Sequence, residues 1–194
     1  LFELAFAALV ADLTALRCRW VLVGGWAVGV RSEARFTADI DVAVAVDDDT
    51  VAESLLFALR ARGYQIDMVL EHEARLRLAT ARTIIKRGDG EPMRVDFLFA
   101  SSGIEDILVS GAEQINILPG IFVPVAKRGH LIALKLLSNS EHRAHDARDL
   151  QMLARHMTAS DWVDAAEAVR LIEERGYQRG KDLKAQLALF RPGA

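Results

Sequence analysis

Three aspartates raise the chemical question. Asp39 and Asp41 stand one residue apart in DIDVAVAV, and Asp96 interrupts the apolar run MRVDFLFA. In an extended strand, residues i and i+2 point to the same side. Asp39 and Asp41 therefore share one face, while Ile40, Val42, Val44 and Val46 line the other and can fill a core. The same alternation turns Val95, Phe97 and Phe99 inward and sets Asp96 on the opposite face. If the two strands are neighbours, three carboxylates converge, which is strongly unfavourable without a compensating cation. A site so rich in oxygen suits Mg²⁺, which keeps waters and binds substrate phosphates as well. Such ions orient the attacking and leaving oxygens of a phosphoryl or nucleotidyl displacement. Upstream, Gly24 and Gly25 close the apolar run WVLV and open a short helix, a place where backbone N–H groups can hold phosphate.

Each piece alone has an ordinary reading: a solvated strand end, a turn, an exposed acid. The order is what points to a metal–nucleotide site. A strand, Gly-Gly, a short helix, D-x-D on the next strand and a third aspartate in a later apolar strand follow one another. Further along, Lys135 lies in IALKLL, where a lysine on a buried stripe is costly unless it is paired or faces a cleft. Asp146 and Asp149 stand three residues apart and share a helix face. The competing reading has Lys135 reaching solvent and Asp149 pairing with a nearby arginine.

The surrounding pattern supplies elements to position these groups. Phe2, Phe6, Leu9, Leu13 and Leu16 recur at three- and four-residue intervals, the stripe of an amphipathic helix. WVLVGG reads as a strand, Trp26 to Arg31 as a short helix and Ile40 to Val46 as a strand. VAESLLFALRARG is a helix that Asp49 or Thr50 can cap and Gly63 can end. YQIDMVL is a further strand. In EHEARLRLATARTIIKR only the second half looks extended, and after the turn RGDGEP the run MRVDFLFA pairs back on it as a hairpin. IEDILVSGA is a short helix, and INILPGIFVPVA makes two extended pieces around Pro-Gly. From Lys127 the pattern is helical to the end. This predicts an α/β protein with an α/β core over 1–126 and a helical region over 127–194.

The bulk composition narrows the classes. The 194 residues carry a net charge of −3, so no global electrostatic drive toward nucleic acid exists. The lone Cys18 allows no internal disulfide and suits a reducing interior. No apolar run is long enough to span a bilayer, and the expectation is a cytoplasmic protein. His142 and His145 sit in a polar turn without a second ligand pattern, which argues against zinc. Arg143, Arg148, Arg155, Arg170, Arg175 and Arg179 are spread over the helical half, as solvated faces or as an RNA-facing surface.

LVGGWAVGVRSEARFTADIDVAV, RVDFLFASSGIEDIL and VPVAKRGHLIALKLLSNSEHRAHDARDL resemble the AbiEii/AbiGii-type nucleotidyltransferases, toxins of type IV toxin–antitoxin systems within the DNA polymerase β-like superfamily. The likeness covers about Trp20 to Leu153. It implies a polymerase β-like mixed sheet with helices, followed by the helical region. By the same likeness Gly24 and Gly25 match the phosphate turn, Asp39 and Asp41 the metal ligands, and Asp96 the third carboxylate, which helps activate the attacking hydroxyl. Arg35 and Thr37 match positions near the triphosphate, Lys135 a phosphate contact, and Asp146 or Asp149 the acid of the fourth motif. The implied activity is Mg²⁺-dependent transfer of NMP from an NTP to an acceptor hydroxyl, with a tRNA 3′ end as the acceptor and an antitoxin as partner. Many superfamily members carry Gly-Ser where Gly24-Gly25 stands, so the phosphate-binding hydroxyl is absent. GGWAV also resembles aminoglycoside and lincosamide nucleotidyltransferases, which keeps an antibiotic acceptor open. A catalytically silent NTP-binding module is the remaining alternative.

Overall fold

The run WVLV (β1, Trp20–Val23) is buried along its whole length because it lies inside a sheet with a neighbour on each side. The structure, a computed structural model, describes residues 2–34, 37–140 and 144–191. Arg35, His142 and Arg143 lie outside the described residues. Helix α1 (Phe2–Ala15) precedes β1 and buries Phe6, Leu9 and Leu13, while Leu16 just beyond it packs on the same core. Helix α2 (Gly24–Arg31) starts two residues earlier than the sequence pattern suggests, directly at the paired glycines. Strand β2 (Asp39–Val44) follows, then α3 (Asp49–Ala61), β3 (Gln65–His72), β4 (Arg77–Ile85) and β5 (Met93–Leu98). The cap of α3 is Asp48, whose carboxylate accepts from the Val51 N–H. Asp49 is instead taken by Arg77 and the Leu78 N–H, at 2.6 and 3.1 Å. Strand β4 begins at Arg77, ahead of its expected half at Ala81, because Arg77, Leu78 and Thr80 find ladder partners on β3.

Helix α4 (Glu105–Ser110) leads to the hairpin β6 (Glu113–Leu118) and β7 (Ile121–Val125), which turns at Pro-Gly as the sequence implies. The sheet order is β3-β4-β5-β2-β1-β7-β6. It is mixed: β1 runs antiparallel to β2 and parallel to β7, while β2 and β5 are parallel. Val21, Leu22, Ile40, Val42, Val95 and Phe97 are essentially sealed from water at its centre. Burial of such side chains contributes roughly 2 kcal/mol each. Val46 lies past the end of β2 and is only half buried.

The remaining helices are α5 (Arg128–Ser138), α6 (Ala144–Arg155), α7 (Ala159–Glu174) and α8 (Leu183–Ala188). Helix α5 is held at both ends. At its start Lys127 pairs with Asp164 and Arg128 with Asp161, both at 3.1 Å. At its end the Lys181 ammonium donates to the carbonyls of Leu136, Leu137 and Asn139, as a cation at a helix C-terminus should. Gly129 lets α5 approach α7, since a Cβ there would lie 2.3 Å from the Asp161 carbonyl oxygen. Arg31 ties the end of α2 to the Val125 and Ala126 carbonyls and to Glu113. These ties fix α2 and α5 over one end of the sheet. No helix among the described residues is long and apolar enough to cross a membrane.

Candidate active site

Parallel pairing of β2 with β5 sets Asp41 opposite Asp96 and Asp39 opposite Arg94. Side-chain alternation then places all three aspartates on one face of adjacent strands, as the sequence pattern requires. Antiparallel pairing of β1 with β2 brings Val23 opposite Asp41, so the chain leaves β1 beside that carboxylate. Gly24 makes the turn with φ +62°, a conformation that favours glycine. The space matters as much as the angle. A Cβ on Gly24 would stand 1.8 Å from Asp41 Oδ2 and 2.4 Å from its Cγ. Gly25 is buried in the first turn of α2, and its backbone N–H donates to Asp41. The Gly-Gly pair thus presents the start of a helix to a carboxylate.

Asp41 reaches solvent only at its rim. Burial pushes its carboxyl up to about 6, and repulsion from Asp96 and more weakly Asp39 adds to this. Attraction to Lys135 and the Gly25 N–H opposes it. Lys135 comes from α5 and extends between two buried acids on α6: its Nζ lies 2.8 Å from Asp146 Oδ1 and 2.8 Å from Asp149 Oδ2. Ser138 donates a further hydrogen bond to Asp146 at 2.9 Å. The lysine therefore neither reaches freely for solvent nor leaves Asp149 to an arginine. It is the centre of an ion cluster, because two carboxylates this buried need a cation between them. Thr37 lies beside the pair, its hydroxyl 3.4 Å from the Asp39 carbonyl oxygen.

Two arginines that the sequence reading did not single out complete the face. Arg82 on β4 forks onto Asp96, Nε to Oδ1 at 2.8 Å and Nη2 to Oδ2 at 2.7 Å. Arg94 touches Asp39 with Nη1 at 3.2 and 3.3 Å, in a more exposed contact. The hairpin offers the signal that finds Arg82. Ile85 pairs with Met93, so stepping back from the turn along both strands sets Arg82 opposite Asp96. Ser138, which supports Asp146, carries no such signal, since nothing in the sequence says that α5 and α6 meet there.

Among the described residues no three carboxylate, histidine or cysteine side chains form a ready metal cage. The reason is local: Asp96 gives both oxygens to Arg82, and Asp39 leans to Arg94. The donor set still fits a hard divalent cation. All its atoms are oxygens, Asp41 is a desolvated carboxyl whose like-charged neighbours a cation would offset, and the Arg94 contact is long and exposed. Asp39 and Asp41 can hold such an ion directly. The Gly25 N–H and the Lys135 ammonium both act on Asp41, so positive charge gathers on this side of the carboxylates. Elsewhere, Cys18 is half buried and its thiol is pushed up to about 12 by burial, which keeps it protonated and unreactive.

A family model described as nucleotidyl transferase AbiEii toxin, type IV TA system, matches residues 7–193. No curated protein matches the chain. Among solved structures, an antigenic nucleotidyltransferase-like protein from Paracoccidioides brasiliensis is similar at 17% identity and a TM-score of 0.53, over 93% of this chain and 89% of that one. The lincosamide antibiotic adenylyltransferase LnuA with lincomycin bound is similar at 14% identity and a TM-score of 0.45, over 78% and 96%. ANT(2")-Ia in complex with adenylyl-2"-tobramycin is similar at 16% identity and a TM-score of 0.46, over 98% and 97%. The first of these likenesses shows the nucleotidyltransferase fold and nothing about the acceptor.

Proposed function

Because the chain belongs to the AbiEii nucleotidyltransferase toxin family of type IV toxin–antitoxin systems, we propose that it transfers NMP from an Mg²⁺-bound NTP to the 3′ hydroxyl of a tRNA. The observation that carries the site assignment is the register of Asp41 against Asp96 beside a glycine with no room for a side chain. The turn at Gly24 and Gly25 and the first-turn N–H groups of α2 not already given to Asp41 bind the triphosphate, with Lys135 and Thr37 beside it; the family likeness adds Arg35 as a further contact. Asp39, Asp41 and Asp96 are the cation's carboxylates. When bound, the ion neutralises charge that builds on the phosphates and aligns the attacking and leaving oxygens.

The acceptor oxygen attacks the α-phosphorus, the bond to the β-phosphate's bridging oxygen breaks and pyrophosphate leaves. Asp96 takes the hydroxyl proton. Lys135 keeps its ammonium aimed at the phosphates because Asp146 and Asp149 grip it from the other side. Both acids are buried behind the lysine, so their part is to orient it rather than to act as a base. This supports an orienting reading of the fourth-motif acid, shared between the two residues. A cytoplasmic setting, where NTP and tRNA are present, and a cognate antitoxin partner belong to the same proposal.

The test is incubation of the purified chain with Mg²⁺, each labelled NTP and total RNA. Label in tRNA, lost in Asp41→Ala, supports the reading. Label only when an aminoglycoside or lincosamide is added replaces tRNA with a drug acceptor. Nucleotide binding with no transfer to any acceptor refutes the enzymatic assignment.

A further inference from the structure

The grip of Arg82 on Asp96 is the tightest contact on the carboxylate face. Asp96 is 8% exposed, and the guanidinium takes both its oxygens at 2.7 and 2.8 Å. A fork of this kind is charge-assisted and planar, and it neutralises the carboxylate where a metal ion would draw on it. A divalent cation and a guanidinium on the same two oxygens repel each other, so they compete for Asp96. Arg94 on Asp39 makes no equivalent barrier: its contact is longer, comes from one nitrogen and is half exposed to screening solvent. Arg82 also has two other acids within electrostatic reach, Asp39 and, more weakly, Asp67. Asp67 on β3 stands at a break in the β3–β4 register, between Ile66 and Met68, where a bulge turns a side chain out of the regular pattern. Asp67 is exposed and can receive the guanidinium once it leaves Asp96.

We propose that Arg82 is a latch on the third carboxylate: it holds the metal-free site as a two-carboxylate site of Asp39 and Asp41, and the third ligand becomes available when the guanidinium swings away from Asp96. This rests on the metal assignment of the proposed function, and it adds a positioning residue on β4 that sets cation affinity. In the resting chain the latch also keeps Asp96 neutralised, so three like charges never face one another unpaired.

The experiment is Mn²⁺ binding to the full chain without nucleotide, read from the loss of the free Mn²⁺ electron paramagnetic resonance signal. Asp41→Asn should weaken binding, and failure to do so removes the metal assignment itself. With that arm satisfied, Arg82→Gln should tighten Mn²⁺ binding roughly tenfold, the scale of one lost charge-assisted hydrogen-bonded pair. Combining it with Asp96→Asn should cancel the gain. Arg82→Lys, which keeps a charge beside Asp96 and protects folding, should tighten binding by a smaller factor. Unchanged or weaker binding in folded Arg82→Gln, or in folded Arg82→Lys where the glutamine variant does not fold, overturns the latch. A gain that survives Asp96→Asn does so as well.

Discussion

Replacing Asp41 with asparagine should make the metal-free protein more stable while abolishing transfer. The carboxyl sits at about 6 in the folded chain because burial and the facing Asp96 disfavour its charge. In the unfolded chain it titrates near the ordinary aspartate value of about 3.9. Below pH 4 the group is protonated in both states and costs nothing. As pH rises from about 4 towards 6, the unfolded chain gives up the proton that the folded chain still holds, so stability falls, and it levels off above 6. The displacement of roughly two pH units corresponds to at most about 3 kcal/mol. Solvent at the rim of the residue screens part of this, so about 1–2 kcal/mol is expected at pH 8. Asparagine keeps the shape of the neutral acid and escapes the penalty at every pH. Urea unfolding in the presence of a chelator checks this. With a slope near 2 kcal/mol/M, the midpoint of Asp41→Asn should lie about 0.5–1 M above that of the parent at pH 8, and the two should converge below pH 4. Added Mn²⁺ should raise the parent's midpoint by more than the variant's, since the folded parent binds it more tightly. A variant less stable than the parent at pH 8 would refute the reasoning, as would an offset that persists unchanged at pH 3.5.

Gly24→Ala should cost about 2–4 kcal/mol in denaturant unfolding and remove transfer, because it joins a strained backbone angle to a collision with Asp41. Lys135→Met should cost about 3–5 kcal/mol, since it strands Asp146 and Asp149 in the interior. Thermal unfolding of Lys135→Met with Asp149→Asn added should show part of that loss recovered, while transfer stays absent. Asp48→Ala should cost about 1 kcal/mol through loss of the α3 cap and leave transfer unaffected.

Much of this fold could be read along the chain, because its signals are local. Alternation in DIDVAV and MRVDFL sorts core from site face with no knowledge of neighbours, and the turn RGDGEP announces the hairpin that follows. The acidic run at Asp47 to Asp49 announces a helix start. It does not say which of its members caps, since that depends on where Arg77 arrives from another strand. The start of α2 is hidden for a similar reason. Two glycines look like a turn, and only the carboxylate lying against them shows why the helix must begin at once.

The candidate site divides along the same line. Residue type and spacing single out Gly24, Gly25, Asp39, Asp41, Asp96, Lys135, Asp146 and Asp149 as candidates, because strand and helix periodicity dictates which side chains share a face. Which of these groups is buried, and which charge answers which, follows from strand order and helix docking. Lys135 between two acids, Arg82 forked on Asp96 and Asp41 with a raised pKa all arise between segments far apart in sequence. Desolvation and Coulomb energy depend on distance through space. The chain by itself therefore names candidates, and the packing of β4, β5, α5 and α6 around β2 decides their partners.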